Sequence, residues 1–208
     1  MTHRPYGLAI FISGRGSNMK ALIDAAQDDD FPAQVVLVIA DNPDAPGLAF
    51  AREKNIPVTV VDRSHFTDRD SFEHALHSAV SAYPVDLICL AGFMRLLSAS
   101  FIALWPDRIV NIHPSLLPAY KGLDTHARAL ADGVSETGCS VHFVRPAMDA
   151  GPVILQRAVP VLAGDTEDLL ADRVLAQEHI AYPQAVRLIA EGRVKIHDEA
   201  VEILSEAV

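Results

Sequence analysis

The sequence predicts an α/β fold: a mostly parallel, twisted sheet of about seven strands, one of them antiparallel, with helices on both faces. Short apolar runs alternate with segments of helical periodicity along most of the chain, the pattern that repeated β-α-β units produce. The runs close on turn signals such as Ser-Gly and Asp-Asn-Pro, as buried strands do. The chain has 208 residues, half of them apolar. That is enough for one domain with a sizeable core, burying about 70% of the unfolded surface.

The elements follow in order. Residues 7–13 form the first predicted strand, and 17–27 the first helix, with Met19, Leu22, Ile23 and Ala26 at helical spacing. The second strand, 33–41, ends at Asp-Asn-Pro, and a helix over 45–55 carries Pro46 and Gly47 at its start. A third strand spans 57–62. The helix over 67–82 places Phe72, Ala75, Leu76, Ala79 and Val80 on one face. The fourth and fifth strands are 85–92 and 107–113. Asp124 is the expected N-cap of a helix over 125–132, with Gly133 past its end. Residues 137–144 and 151–161 read as strands, and Pro152 and Pro160 make the second an edge strand or a short one. Asp165 or Thr166 opens a long last helix. The arrangement is Rossmann-like. In such sheets ligands lie beyond the carboxyl ends of the strands, so chemistry is expected just after strands one, two, four and five.

Composition narrows the function classes. The 13 prolines leave no heptad run for a coiled coil. The net charge is −10 with basic residues scattered singly, which disfavours nucleic acid and acidic membranes as partners. No apolar stretch nears the roughly 20 residues that span a bilayer. Cys89 and Cys139 lie inside apolar runs and read as buried thiols of a reducing, cytoplasmic environment.

Five positions stand out for chemistry. Ser13-Gly14-Arg15-Gly16-Ser17-Asn18 follows the first strand and opens a helix. Its free N–H groups suit a phosphate. Met19 breaks the G-x-G-x-x-G fingerprint and no Gly-Lys-Ser/Thr follows, so a monophosphate is favoured over a dinucleotide. An ordinary turn capped by Ser17 is the alternative. Asn111 and His113 close the fifth strand two residues apart and so project from one face. Asn offers an oxyanion donor and His a proton carrier, although a turn Asn and a core His would look the same. Gly92 and the run Met94, Arg95, Leu96 and Leu97 follow strand four, where a ring system could lie in an apolar slot or the residues could simply fill the core. Asp149 sits between two strands; it could hold an imidazole in its charged form, or merely shape a turn. On the last helix Glu178 falls within the stripe Leu170, Val174, Ala181 and Ala185, which is either a substrate-side acid or a stripe-edge residue reaching water. His74 and His77 have helical metal spacing but no third ligand, so no metal is expected.

Together these segments resemble the glycinamide ribonucleotide formyltransferase family. The resemblance is carried by ISGRGSNMKALI, ADNPDAPGLAFA, DLICLAGFMRLLS, NIHPSLLPAYKGLDTHARAL, GCSVHFV, MDAGPVILQ and DRVLAQEHIAYP. The pairing of NIHPSLLP with a following DxGPVI is specific to formyltetrahydrofolate-using enzymes. The resemblance implies a single formyltransferase domain over 1–208. It also implies formyl transfer from 10-formyltetrahydrofolate to the amino group of 5'-phosphoribosylglycinamide in purine synthesis. Residue by residue, Asn111, His113 and Asp149 match the catalytic trio. Gly16, Ser17, Asn18 and Glu178 match ribonucleotide-binding positions. Arg69, Met94, Arg95, Leu96 and Leu97, with Asn111, match folate-binding ones. Both partners are then small molecules, and no metal is required. Arg15, Ala150 and the loop AYKGLDTH depart from the commoner pattern without removing a catalytic group. Related tRNA formyltransferases and formyl-folate hydrolases carry additional domains that this chain is not expected to have.

A competing class is a dinucleotide-binding module, supported by Asp41 at the end of strand two, where a ribose-binding acid sits. Against it stand the broken fingerprint and the Asn-x-His-Pro cluster. Loop 115–125, with Gly122 and several polar residues, is expected to be a mobile lid.

Overall fold

The computed structural model describes residues 4–205. They divide between Val110 and Asn111 into two compact units. The first contains β1 (Tyr6–Ile12), α1 (Ser17–Ala25), β2 (Ala33–Ala40), α2 (Gly47–Glu53), β3 (Val58–Val60), a 3-10 turn (Arg63–His65), α3 (Arg69–Ser81), β4 (Leu87–Leu90) and α4 (Ala99–Leu104). Next comes β5 (Ile109–His113). The second unit continues with α5 (Thr125–Ala131), β6 (Glu136–Phe143), β7 (Val153–Pro160), α6 (Glu167–Ala190), β8 (Val194–His197) and β9 (Ala200–Ile203). Seven strands form one sheet in the order β3-β2-β1-β4-β5-β6-β7, and β8-β9 is a separate hairpin.

The order follows from burial. Leu8 through Ile12 are wholly shielded, because β1 lies between β2 and β4, parallel to both. Ile10 sits opposite Val38 on one side and Cys89 on the other. β7 runs antiparallel to β6 and ends the sheet, the edge position its flanking prolines require. Cys89 and Cys139 are free and buried. Burial, with the nearby Glu178 charge, pushes the Cys139 thiol up to about 12, so it is an inert core group rather than a nucleophile.

The helix starts match the two expected caps, with one difference in how the cap is made. Asp124 does occupy the N-cap of α5, but in left-handed backbone and with no side-chain cap bond. The αL geometry turns its carboxylate away from the first-turn N–H groups. Of the two candidates for α6, Thr166 is the cap, its Oγ1 accepting from the Leu169 N–H at 3.3 Å. Asp165 instead binds Arg173 in a two-point pair at 2.6 and 2.8 Å and accepts the Leu162 N–H. These donors hold its carboxyl down at about 2.

Three elements lay outside the sequence reading: α4, the 3-10 turn and the β8-β9 hairpin. α4 has only six residues, too few to show a helical period. β8 and β9 have no buried residue, so no apolar pattern marks them.

Gly138 in β6 makes a close approach that no larger residue permits. A Cβ there would lie 2.0 Å from the Arg157 carbonyl oxygen of β7. Gly138→Ala therefore forces the two backbones apart. The expected cost is about 1–3 kcal/mol. At about 2–4 °C per kcal/mol for a chain of this size, the melting temperature should fall by several degrees, while an unchanged melt would show that the pair yields freely.

Candidate active site

The residues of the expected catalytic trio gather at the carboxyl end of β5. Asn111 and His113 project from the same face, as their spacing requires, and His113 is buried. Asp149, in the turn between β6 and β7, adopts left-handed backbone with φ 48°. Its Oδ2 lies 3.5 Å from His113 Nδ1, and its side chain is 11% exposed. The structure thus brings together all three residues of the expected trio. It adds a fourth, His142 of β6, which the sequence reading passed over as one more residue of a strand. Its Nε2 lies 3.7 Å from Asp149 Oδ1 and 3.3 Å from Asn111 Nδ2. Only its place opposite the turn that carries Asp149 could have drawn attention to it.

Hydrogen-bond partners fix the protons on both rings. A carbonyl oxygen can only accept, so a ring nitrogen facing one carries the hydrogen. His142 Nδ1 faces the Phe143 carbonyl at 2.9 Å; its Nε2 is then the lone-pair nitrogen and accepts from Asn111 Nδ2. Burial pushes the His142 pKa down, outweighing the opposite pull of Asp149. The ring is therefore neutral and orients the Asn111 amide, leaving the second amide hydrogen free. His113 Nε2 donates to the Tyr120 carbonyl at 2.9 Å. That leaves Nδ1, facing Asp149, as the nitrogen that gains or loses a proton. His126, half-buried, has its pKa lowered by desolvation.

In the conformation described, the segment 115–125 is held by a set of hydrogen bonds. Ser115 Oγ donates to the Ala119 carbonyl at 2.6 Å, and the Leu117 N–H to Ser140 Oγ at 3.0 Å. Gln156 Nε2 donates to the Leu117 carbonyl and the Gly122 N–H to Asp149 Oδ2, both at 2.9 Å. Arg128 binds the Lys121 carbonyl at 2.8 Å. Two of these loop bonds, on His113 and Asp149, engage the trio itself.

In the first unit, Gly16 takes φ 70°, conformational space that glycine enters at little cost. It, rather than Ser17, is the N-cap of α1, with no side-chain cap bond. Ser17 is the first helical residue. This corrects the alternative of a Ser17 cap: the hydroxyl is not spent on the helix. Asn18 and Met19 are buried, so the third-glycine position of a dinucleotide turn is filled by a packed side chain.

The folate-side residues split. Leu97 is buried, whereas Met94 and Leu96 are 68% and 66% exposed, so those two do not fill the core. Met94 N–H donates to Ser13 Oγ at 2.9 Å. Arg69 Nε reaches Glu73 at 3.0 Å, and its Nη2 donates to the Leu96 carbonyl at 2.6 Å. Buried Glu73 also accepts the Ser98 N–H at 2.7 Å. Arg95 Nε binds Asp41 at 2.6 Å. A cleft of about 630 Å³ lies beside that pair, lined by Ser13, Asn42, Arg63 and Phe66 among others. Its volume is within the range of small-molecule sites.

In the second unit Glu178 is buried on the stripe of Leu170, Val174, Ala181 and Ala185, which also includes Tyr182 and Val186. It does not reach out to water. His74 and His77 hold no metal set: among the described residues no group of three His, Cys, Asp or Glu is disposed to bind an ion.

The profile of the family described as formyl transferase matches residues 7–186. The chain belongs to the formyl transferase family. Among its relatives in that family, a phosphoribosylglycinamide formyltransferase of Escherichia coli is 45% identical over 193 residues, 93% of this chain and 91% of that protein. A trifunctional purine biosynthetic protein adenosine-3 of Gallus gallus is 44% identical over 91% of this chain. The chain spans 19% of that longer relative. The crystal structure of a glycinamide ribonucleotide transformylase from Symbiobacterium toebii superposes with a TM-score of 0.94 at 46% identity, covering 97% of this chain and 95% of that one. The fold is therefore shared with that structure.

The proton positions make a direct prediction. His142 should titrate below the ordinary histidine value of about 6.5 and show the Nδ1–H tautomer in nitrogen-resolved NMR. Because its folded pKa is depressed, the stability it contributes is present above the unfolded value and declines as pH falls below it. An Nε2–H tautomer, or titration above the ordinary value, would refute the assignment.

Proposed function

We propose that this formyl transferase moves the formyl group of 10-formyltetrahydrofolate to the amino group of glycinamide ribonucleotide, giving formylglycinamide ribonucleotide in purine synthesis. The observation that carries the reading is the convergence of Asn111, His113 and Asp149 at the end of β5 in a chain so similar to named formyltransferases of this acceptor. The reading treats 1–208 as one domain, supported by a family match that runs through both units.

The chemistry follows from the residues. A neutral amine adds to the formyl carbon and the carbonyl oxygen becomes an oxyanion. Asn111 offers its free amide hydrogen and protonated His113 its Nδ1–H. Asp149 places its carboxylate 3.5 Å from that Nδ1. Preorganised donors of this kind matter because they meet charge only as it develops. The proton lost by the amine passes to the folate N10 as that bond breaks, by way of His113 or water. An amine is already a nucleophile, so the step calls for no metal. On the ribonucleotide side Gly16, Ser17, Asn18 and Glu178 are assigned; on the folate side Arg69, Met94, Arg95, Leu96, Leu97 and Asn111. No helix among the described residues is long and apolar enough to cross a membrane. Two buried free thiols support a cytoplasmic setting, and the net charge of −10 supports small-molecule partners without nucleic acid.

An absorbance assay for deformylated folate, run with and without glycinamide ribonucleotide, tests the activity: turnover should require the acceptor. Acceptor-independent turnover would assign hydrolysis instead. Asp149→Asn keeps the shape and removes the charge. Its kcat should fall about 10²-fold or more, the size expected for a positioned acid–base group, with much smaller changes in either KM. Wild-type kcat in that variant would remove Asp149 from the mechanism. Ser17→Ala should raise the ribonucleotide KM and leave the folate KM and the melting temperature nearly fixed, since the hydroxyl caps nothing. Equal changes in both KM values would undo the phosphate-turn assignment.

A further inference from the structure

Asp41 stands immediately after β2, where a dinucleotide-binding sheet places its ribose acid. Here its carboxylate is otherwise engaged. It is 2% exposed, and its Oδ2 accepts from Arg95 Nε at 2.6 Å. Its Oδ1 has no hydrogen-bond partner and no solvent contact among the described residues. A carboxylate so buried, with one partner, is a poor source of stability, because desolvation offsets the attraction. What the pair does provide is geometry. With Nε held, the planar guanidinium is fixed in orientation, and its two terminal amino groups have no hydrogen bond to any described residue. The Arg95 side chain is 47% exposed and borders the cleft. Such a fork matches an anionic group of a ligand by two parallel hydrogen bonds.

Arg69 provides the comparison within the same unit. Its Nε also rests on a buried carboxylate, Glu73, at 3.0 Å. Yet its Nη2 is already spent on the Leu96 carbonyl, and Glu73 has a second duty in holding Ser98 ahead of α4. Arg95 is the guanidinium left presented, and Asp41 has no second duty of that kind.

We infer that Asp41 is a positioning residue that fixes Arg95 for an anionic group of the folate co-substrate. The inference rests on the proposed folate-side role of Arg95. Removing the carboxylate leaves a half-exposed arginine that water can solvate, so the fold should tolerate it. Removing the arginine strands a buried charge and should not be neutral.

The test is a cycle of Asp41→Asn, Arg95→Ala and the double variant, each measured for kcat, both KM values and melting temperature. Asp41→Asn should raise the KM for 10-formyltetrahydrofolate about tenfold, equivalent to about 1.4 kcal/mol, with kcat, ribonucleotide KM and melting unchanged. Arg95→Ala should raise the same KM at least as far and also lower the melting temperature. The double variant should be no worse for folate than Arg95→Ala alone. Asp41→Ser, small and uncharged, should repeat the first result and guards against a folding defect peculiar to the amide. An unchanged folate KM in Asp41→Asn, beside a raised one in Arg95→Ala, overturns the inference and leaves the folate-side reading intact. An unchanged folate KM in Arg95→Ala overturns that reading itself, and the inference with it. Lowered melting with parallel losses in kcat and both KM values would make Asp41 structural only. Micromolar NAD(H) binding that Asp41→Asn abolishes would return it to a ribose-binding role and also overturn the proposal.

Discussion

The Asp149 carboxylate organises the reacting end of the second unit. One oxygen faces His113 and accepts the Gly122 N–H; the other faces His142. A carboxylate has acceptor capacity for several donors, and this one uses it to tie the end of β5, the following loop and the β6-β7 turn to a single point. Its left-handed backbone is part of that placement, since it turns the side chain back toward β5. Two imidazoles then sit beside one charge but in different states of commitment. His142 is locked neutral by burial and by the Phe143 carbonyl. His113 has its Nε2 hydrogen committed and its Nδ1 open toward the carboxylate.

This division of labour gives Asn111 its role. An amide side chain at a strand end is free to rotate unless a neighbour distinguishes its oxygen from its nitrogen. The lone pair on His142 Nε2 does so at 3.3 Å. The amide nitrogen is thereby oriented by the His142 ring, as the proposed role of Asn111 as a donor requires. Preorganisation of that kind contributes more than the same groups would after rearrangement, because nothing must be reoriented as charge develops.

The first unit applies a related device with the charges reversed. Arg69 and Arg95 are both about half exposed, and each rests on a carboxylate buried in the unit. Long cationic side chains on a surface are normally mobile. Anchoring Nε on a buried acceptor converts each into a fixed surface group at the cost of a desolvated carboxylate. Glu73 was invisible in the sequence because it falls beside Phe72 on a helix read only for its apolar face. Asp41 was visible, but its position suggested a nucleotide ribose, and the partner 54 residues away could not be read from the chain.

What the sequence determined by itself was whatever depends on neighbours along the chain. The apolar runs set the strands, the prolines around β7 set the sheet edge, and the two-residue spacing of Asn111 and His113 put both on one face. The nine-residue α1 and the 24-residue α6 were legible because each presents a buried stripe at helical period. Hydrogen bonding between distant segments was left to the tertiary structure. The partners of loop 115–125 are Ser140, Gln156 and Asp149, which reach it from β6, β7 and their turn. Asp124 looked like a helix cap, yet the backbone it adopts prevents the bond. His142 looked like an ordinary strand residue until β6 paired with β7 and the turn brought Asp149 beside it. Side-chain period is a property of one strand or helix, while the partner of a polar group depends on which strands meet. That is why the sequence could name the trio, and only the fold could supply the groups that orient it.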